Sequence, residues 1–287
     1  MKTLSTDVSM VFAHTHDHIV NADAPGVPRP GLQISAKPGH VVSSYVDLLS
    51  KIAALQYHNP RFRFLFRGQS RDHVLNLQGQ PGVHSSLYPS ILRPSGTKDR
   101  RSELRDRFTR LSCLEDELKK RLVAEEIHHD RIIRWAILQH YETVPTPLLD
   151  VTLSLQVAVS FALAEDPSAG YLFALAVPHL SGPVSVSIES QTQVIDLSQA
   201  CPPEALRPHF QSGLLIGDYP VVGAVDTSHG GRGLIGNNFA CRLFAKFHLT
   251  NCVSWAKEGW VPTSPDILFP NKIDTWHLAL DGLAAIP

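Results

Sequence analysis

The stretch Gln139-His140-Tyr141-Glu142-Thr143-Val144-Pro145-Thr146-Pro147-Leu148-Leu149-Asp150-Val151-Thr152 sets an imidazole, carboxylates, an amide and hydroxyls among apolar residues. Buried polar groups must each find a partner, so such a density between two amphipathic stretches marks a site. His140 could carry a proton near neutral pH or hold a ligand, or it could be structural in a turn. Asp150 and Thr152 precede a helical pattern. Either could accept from the open N–H groups of that helix start. Alternatively Asp150, with His140 and Gln139, lines a pocket based on the helix N-terminus, which favours anions. A second candidate is Phe66-Arg67-Gly68-Gln69-Ser70. The Arg67 guanidinium could clamp a phosphate or carboxylate bidentately, with Gly68 allowing close backbone approach. The alternative for Arg67 is a buried ion pair with Asp150 or Glu103. Arg93 is a further candidate cation, with a structural or solvated role as the alternative.

The elements that must position these groups are read from periodicity. Tyr45, Leu48, Leu49, Ile52 and Leu55 predict a helix over Val41 to Tyr57, capped by Ser43-Ser44 and ended by Pro60. Phe62, Phe64 and Phe66 alternate with Arg61, Arg63 and Leu65, a strand that runs into Arg67. Leu87 to Arg93 reads as a short ordered piece. Leu104, Phe108, Leu111, Leu114, Leu118 and Leu122 make one stripe of a helix from Asp99 to Ile127. A helical pattern resumes over Arg131 to Leu138, and another runs from Leu153 to Glu165. Tyr171 to Val177 is a buried strand by its continuous apolar run. Val184–Ile188 and Thr192–Ile195 suggest a hairpin. Leu214–Ile216, Val221–Val225 and Cys241–Leu249 suggest short strands, and Gly230-Gly231-Arg232-Gly233 a hairpin loop or a lid. Helices first and mixed strands later give an α+β class, with a mixed or antiparallel sheet core and an N-terminal helical portion.

The chain has 287 residues, 43% of them hydrophobic, which supports a packed core. A net charge of -1 offers no bulk attraction to nucleic acid or anionic membrane. Local basic runs, Arg61/Arg63/Arg67/Arg71 and Lys98/Arg100/Arg101/Arg105/Arg107/Arg110, leave nucleic acid open as a partner, although the second run lies on a charged helix face. No apolar run is long enough to span a bilayer, and Met1 to Val20 lacks the pattern of an export signal. Cys113, Cys201, Cys241 and Cys252 are scattered without a metal-knuckle spacing, as expected of reduced thiols in a cytoplasmic protein. His14/His16/His18 and His128-His129-Asp130 could ligate a metal only in a favourable fold, and no metal is expected.

Phe66-Arg67-Gly68-Gln69-Ser70, then Leu87-Tyr88-Pro89-Ser90-Ile91-Leu92-Arg93, then Glu103 in a helix, then Gln139-His140-Tyr141 with Pro145-Thr146 and Leu148-Leu149-Asp150-x-Thr152, then Ala158-Val159-Ser160-Phe161-Ala162, occur in that order. This series resembles the FRG domain, a bacterial family named for its Phe-Arg-Gly signature. Glu142 stands where the family usually has Gly, and Pro147 where it usually has Arg. The family's late Arg motif is matched only by Arg242. The order of strand Arg67, then Thr152 and Ser154 before a helix, then strand Tyr171–Val177 is similar to that of ADP-ribosyltransferases. That resemblance implies NAD as cofactor, with Arg67 on its pyrophosphate and Thr152 on the nicotinamide ribose. A late glutamate would complete the scheme, and Glu189, Glu204 and Glu258 qualify by position alone.

The expected organisation is an irregular segment over 1–40, an FRG-type domain over 41–255 and a C-terminal extension over 256–287. The expected site sets His140, Asp150 and Thr152 at the chemistry, with Arg67, Gly68, Gln69, Gln139, Tyr141 and Arg93 holding the ligand. Three functional readings stay open. One is an NAD-dependent, ADP-ribosyltransferase-like effector of a bacterial toxin or phage-defence system. Another is a non-catalytic module for a small nucleotide or nucleic acid. The last is a structural domain.

Overall fold

A computed structural model describes residues 34–60, 62–76, 82–93, 100–121, 130–178, 181–188, 192–219 and 238–283. His14, His16, His18, Leu122, His128, His129, Glu189, Val221–Val225 and Gly230–Gly233 lie outside these residues. In chain order the larger elements begin with β1 (His40–Val42), α1 (Tyr45–His58), β2 (Phe62–Gln69), β3 (Val74–Asn76) and β4 (Val83–Ser85). Two long helices come next, α2 (Arg100–Arg121) and α3 (Arg131–His140), then β5 (Leu148–Thr152) and α4 (Leu155–Ala162). The remaining strands are β6 (Gly170–Pro178), β7 (Val184–Ser187), β8 (Thr192–Asp196), β9 (Gly213–Asp218) and β10 (Leu243–Leu249). The fold is mixed α+β. The chain forms two compact units: Met1–Leu87, Thr152–Leu180 and Asn238–Thr263 make one, and Tyr88–Val151, Ser181–Asn237 and Ser264–Pro287 the other.

In the first unit β1 runs parallel to β10, β10 antiparallel to β6, and β6 antiparallel to β2. Thr152, the last residue of β5, pairs with Phe66 of β2. Helix α1 starts at Tyr45 rather than Val41, because Val41 is drawn into the sheet opposite His248. Ser44 is its cap, accepting from the Asp47 amide. Phe64, Phe66, Leu172, Ala174, Phe247 and Leu249 bury one sheet face against Ala158, Val159 and Ala162 of α4 and against Leu48 and Leu55 of α1.

Helix α4 lies almost on the backbone of β2 and β6. A Cβ built on Gly68 would sit 1.8 Å from the Ala158 carbonyl oxygen and 2.7 Å from the Ala162 nitrogen. One built on Gly170 would sit 2.4 Å from the Ala162 oxygen. Small residues on both sides are what permit this approach. On the opposite face, the register sets Arg67, Phe173 and Lys246 in one row across β2, β6 and β10. Lys246 is buried, and its Nζ donates to Asp72 Oδ2 (2.7 Å), Ser85 Oγ (3.0 Å) and the Ser35 carbonyl (3.1 Å). All three ammonium donors are thereby used, as a buried cation requires.

In the second unit the stripe Leu104, Phe108, Leu111, Leu114 and Leu118 of α2 is buried, and α2 packs on α3. Glu115, itself buried, accepts from Arg131 Nε (3.0 Å), Arg134 Nη2 (2.6 Å) and Trp135 Nε1 (2.8 Å). Strands β9, β8 and β7 come after β5 in that order across the sheet, with β7–β8 and β8–β9 antiparallel.

Gly68→Ala is expected to lower the unfolding free energy by more than ~3 kcal/mol or to abolish folding, since the added methyl meets helix backbone that cannot swing aside. Urea titration of the variant reads this directly, and a loss below about 1 kcal/mol would mean that α4 can move away at little cost.

Candidate functional site

The stretch Gln139 to Thr152 is a helix end succeeded by a strand, not the entry turn of a helix. Helix α3 closes in a Schellman turn: the Glu142 amide donates to the Gln139 carbonyl (3.0 Å) and the Thr143 amide to the Leu138 carbonyl (2.9 Å). This geometry needs a left-handed residue, and Glu142 supplies it with φ 57. The position where the family usually has Gly is thus one that Gly would occupy without strain. Here Glu142 is held by Arg207, whose Nη2 lies 2.7 Å from its Oε1.

Gln139 is the hub of the hydrogen-bond network around this turn. Its Oε1 accepts from Ser90 Oγ (2.9 Å), the Thr146 amide (2.9 Å) and Thr146 Oγ1 (3.1 Å). Its Nε2 donates to Asp150 Oδ2 at 2.9 Å. His140 Nδ1 lies 3.4 Å from Asp150 Oδ1. Asp150 therefore does not cap the next helix. Ser154 does, accepting from the Val157 amide, while Thr152 Oγ1 accepts from the Ser154 amide. The His140 ring packs on Gly213, where an added Cβ would come 2.6 Å from its Cε1. Only 3% of His140 is exposed, whereas the Asp150 side chain is 34% exposed. Gln139 and Asp150 are both partly exposed, and Asp150 is the one that carries a carboxylate.

Tyr141 faces a different partner. Its hydroxyl donates to Asp274 Oδ2 at 2.9 Å. Asp274 is fully buried and also accepts from the Arg207, Trp276 and His277 amides, so it anchors the C-terminal helical turn. Burial, and then the Asp274 carboxylate, push the Tyr141 phenol far up, which keeps it a proton donor. Tyr141 thus acts as a structural staple to Asp274. Arg93 is held locally: its Nε donates to the Tyr88 carbonyl (3.3 Å), and Arg107 Nη1 donates to the Arg93 and Ile91 carbonyls (2.8 Å each). Glu103 accepts from Arg107.

Of the other expected site residues, Arg67, Gly68, Gln69 and Thr152 belong to the first unit. Gly68 admits the close approach of α4. Thr152 pairs with Phe66, so both side chains fall on the face that carries α4. Arg67, the next residue along β2, points to the opposite face. Arg67 and Thr152 therefore lie on opposite faces of the sheet. Glu258, one of the candidate late glutamates, instead accepts from Ser44 Oγ and the Val46 amide at the start of α1.

Thr146, Ser90, Asp274 and Arg207 are site-building residues that motif spacing does not single out as such. Asp274-Thr275 before an apolar run is a readable cap signal, but nothing in the sequence ties it to Tyr141. Among the described residues, no group of three or more His, Cys, Asp or Glu could hold a metal ion. No helix among them is long and apolar enough to cross a membrane.

Residues 63–170 match the family model of the FRG domain. Arg67, Gly68, Gln69, Arg93, Gln139, His140, Tyr141, Asp150 and Thr152 all fall within that matched span. No curated protein and no solved structure matches the chain.

Tyr141→Phe is expected to cost about 1–3 kcal/mol, because it strips a donor from a buried carboxylate. A denaturation midpoint equal to that of the parent would rule the staple out. The Cys201 thiol is pushed up to about 12 by burial and then by Asp274, from an ordinary value of 9.0. Folding thus favours the protonated thiol. The stability this contributes is complete below pH 9.0 and is lost as pH rises towards 12. Thermal unfolding across that window should fall with pH, and Cys201→Ala should flatten part of the fall.

Proposed function

We propose that the region of this chain that matches the FRG domain binds a nucleotide of the NAD type and holds it without turning it over, with Asp150 as the direct contact. The observation that carries this reading is a partly exposed carboxylate fixed from behind by two donors of one helix, Gln139 Nε2 and His140 Nδ1. A partly exposed carboxylate suits a ligand that brings hydroxyl donors. The paired hydroxyls of a ribose suit such an acceptor. Binding has more support than transfer for two reasons. His140 is too deeply buried to exchange a proton with a ligand. Arg67 and Thr152 lie on opposite faces of their sheet.

The proposal extends to a role as a cytoplasmic nucleotide-binding effector in a bacterial toxin or phage-defence system. NAD levels in cells expressing the protein distinguish that role from NAD consumption, because a binding module leaves the pool unchanged.

Titration calorimetry with NAD and with ADP-ribose tests the contact. Asp150→Asn is expected to weaken binding at least about tenfold while the fold survives. Equal affinity in parent and variant, or no binding of either nucleotide to the parent, would overturn the reading, as would a cleaved product in the spent mixture.

A further inference from the structure

The polarity of the chain behind Asp150 is fixed by backbone. The Leu148 amide donates to Thr146 Oγ1 at 3.3 Å, so that hydroxyl is free to point its own proton at Gln139 Oε1, 3.1 Å away. The Thr146 amide and Ser90 Oγ converge on the same oxygen at 2.9 Å each. A carboxamide oxygen that receives these donors cannot exchange places with its NH2 without setting donors against donors. The Gln139 NH2 is thereby directed at Asp150 Oδ2. Thr146 is fully buried and Ser90 half-buried, so neither hydroxyl is there to meet solvent.

We infer that Thr146 and Ser90 are positioning residues of this site: acting through Gln139, they hold Asp150 as a deprotonated acceptor. A donor fixed on a carboxylate favours its charged form. A site built this way selects ligands that bring donors, such as hydroxyl or ammonium groups, and rejects a ligand whose contacting group is itself an anion. The claim about ligand choice rests on the reading of Asp150 as the binding contact. The claim about polarity does not.

One experiment separates the two. In the uniformly labelled full chain, the Asp150 carboxyl carbon is titrated by NMR, and exchange of the Gln139 side-chain amide protons is followed. In the Thr146→Val/Ser90→Ala double variant the Asp150 midpoint should rise and the Gln139 amide protons should exchange about tenfold faster. Thr146→Ser, which keeps the hydroxyl, should restore both values, a rescue that a merely space-filling role for Thr146 would not give. If the double variant does not fold, Ser90→Ala alone carries the measurement, with the same direction expected. An Asp150 midpoint and Gln139 exchange unchanged in a folded variant overturn the inference, whatever nucleotide binding shows. If both respond while NAD affinity stays at the parent value, the positioning role stands and the proposed ligand contact fails.

Discussion

The absence of a side chain at Gly68 is the constraint on which the first unit of this protein depends. Helix α4 sits where a methyl group would be, with the Ala158 carbonyl 1.8 Å from the point a Cβ would take. Two features of the chain are consequences. The helix must present Ala158 and Ala162 to the sheet, and Gly170 must yield on the neighbouring strand. Phe66 and Thr152 then share the face that α4 covers, and Arg67 is turned to the other. The Phe-Arg-Gly signature therefore reads as a packing instruction: Phe66 fills the core and Gly68 admits the helix.

In the second unit the corresponding organiser is Gln139. A single carboxamide joins the 88–92 segment through Ser90, the turn through Thr146 and the strand through Asp150. The neighbouring residues of the same helix end do other work. His140 packs on Gly213 and backs Asp150, Tyr141 secures Asp274, and Glu142 accepts a left-handed backbone to close the helix. Consecutive residues of one motif thus have distinct physical roles, and Asp150 on the following strand joins a charge to the Gln139 network and partial exposure.

Much of this is legible in the sequence where periodicity or local chemistry decides the outcome. The stripe of α2, the alternation of β2 and the apolar run of β6 each state their element, and the stripe of α2 also its buried face. Val41 departs from the helix its spacing predicts because strand pairing with β10, a contact distant in sequence, overrides local periodicity. Asp150 looks like a cap because a short polar residue before a helix usually is one. Ser154, closer to the helix, takes that role. The left-handed turn at Glu142 leaves a trace only as a departure from the family's usual Gly. The staple between Tyr141 and Asp274 leaves none, since the two residues lie 133 positions apart.

Hydrogen–deuterium exchange of the intact chain, with and without saturating NAD, tests most directly whether Asp150 is the ligand contact, because it locates the ligand without altering any residue. New protection is expected over residues 139–152, where Asp150 and its supports lie, with little change over 62–70. Protection confined to 62–70, with 139–152 unaffected, would contradict that assignment and move the site to the face that carries Arg67.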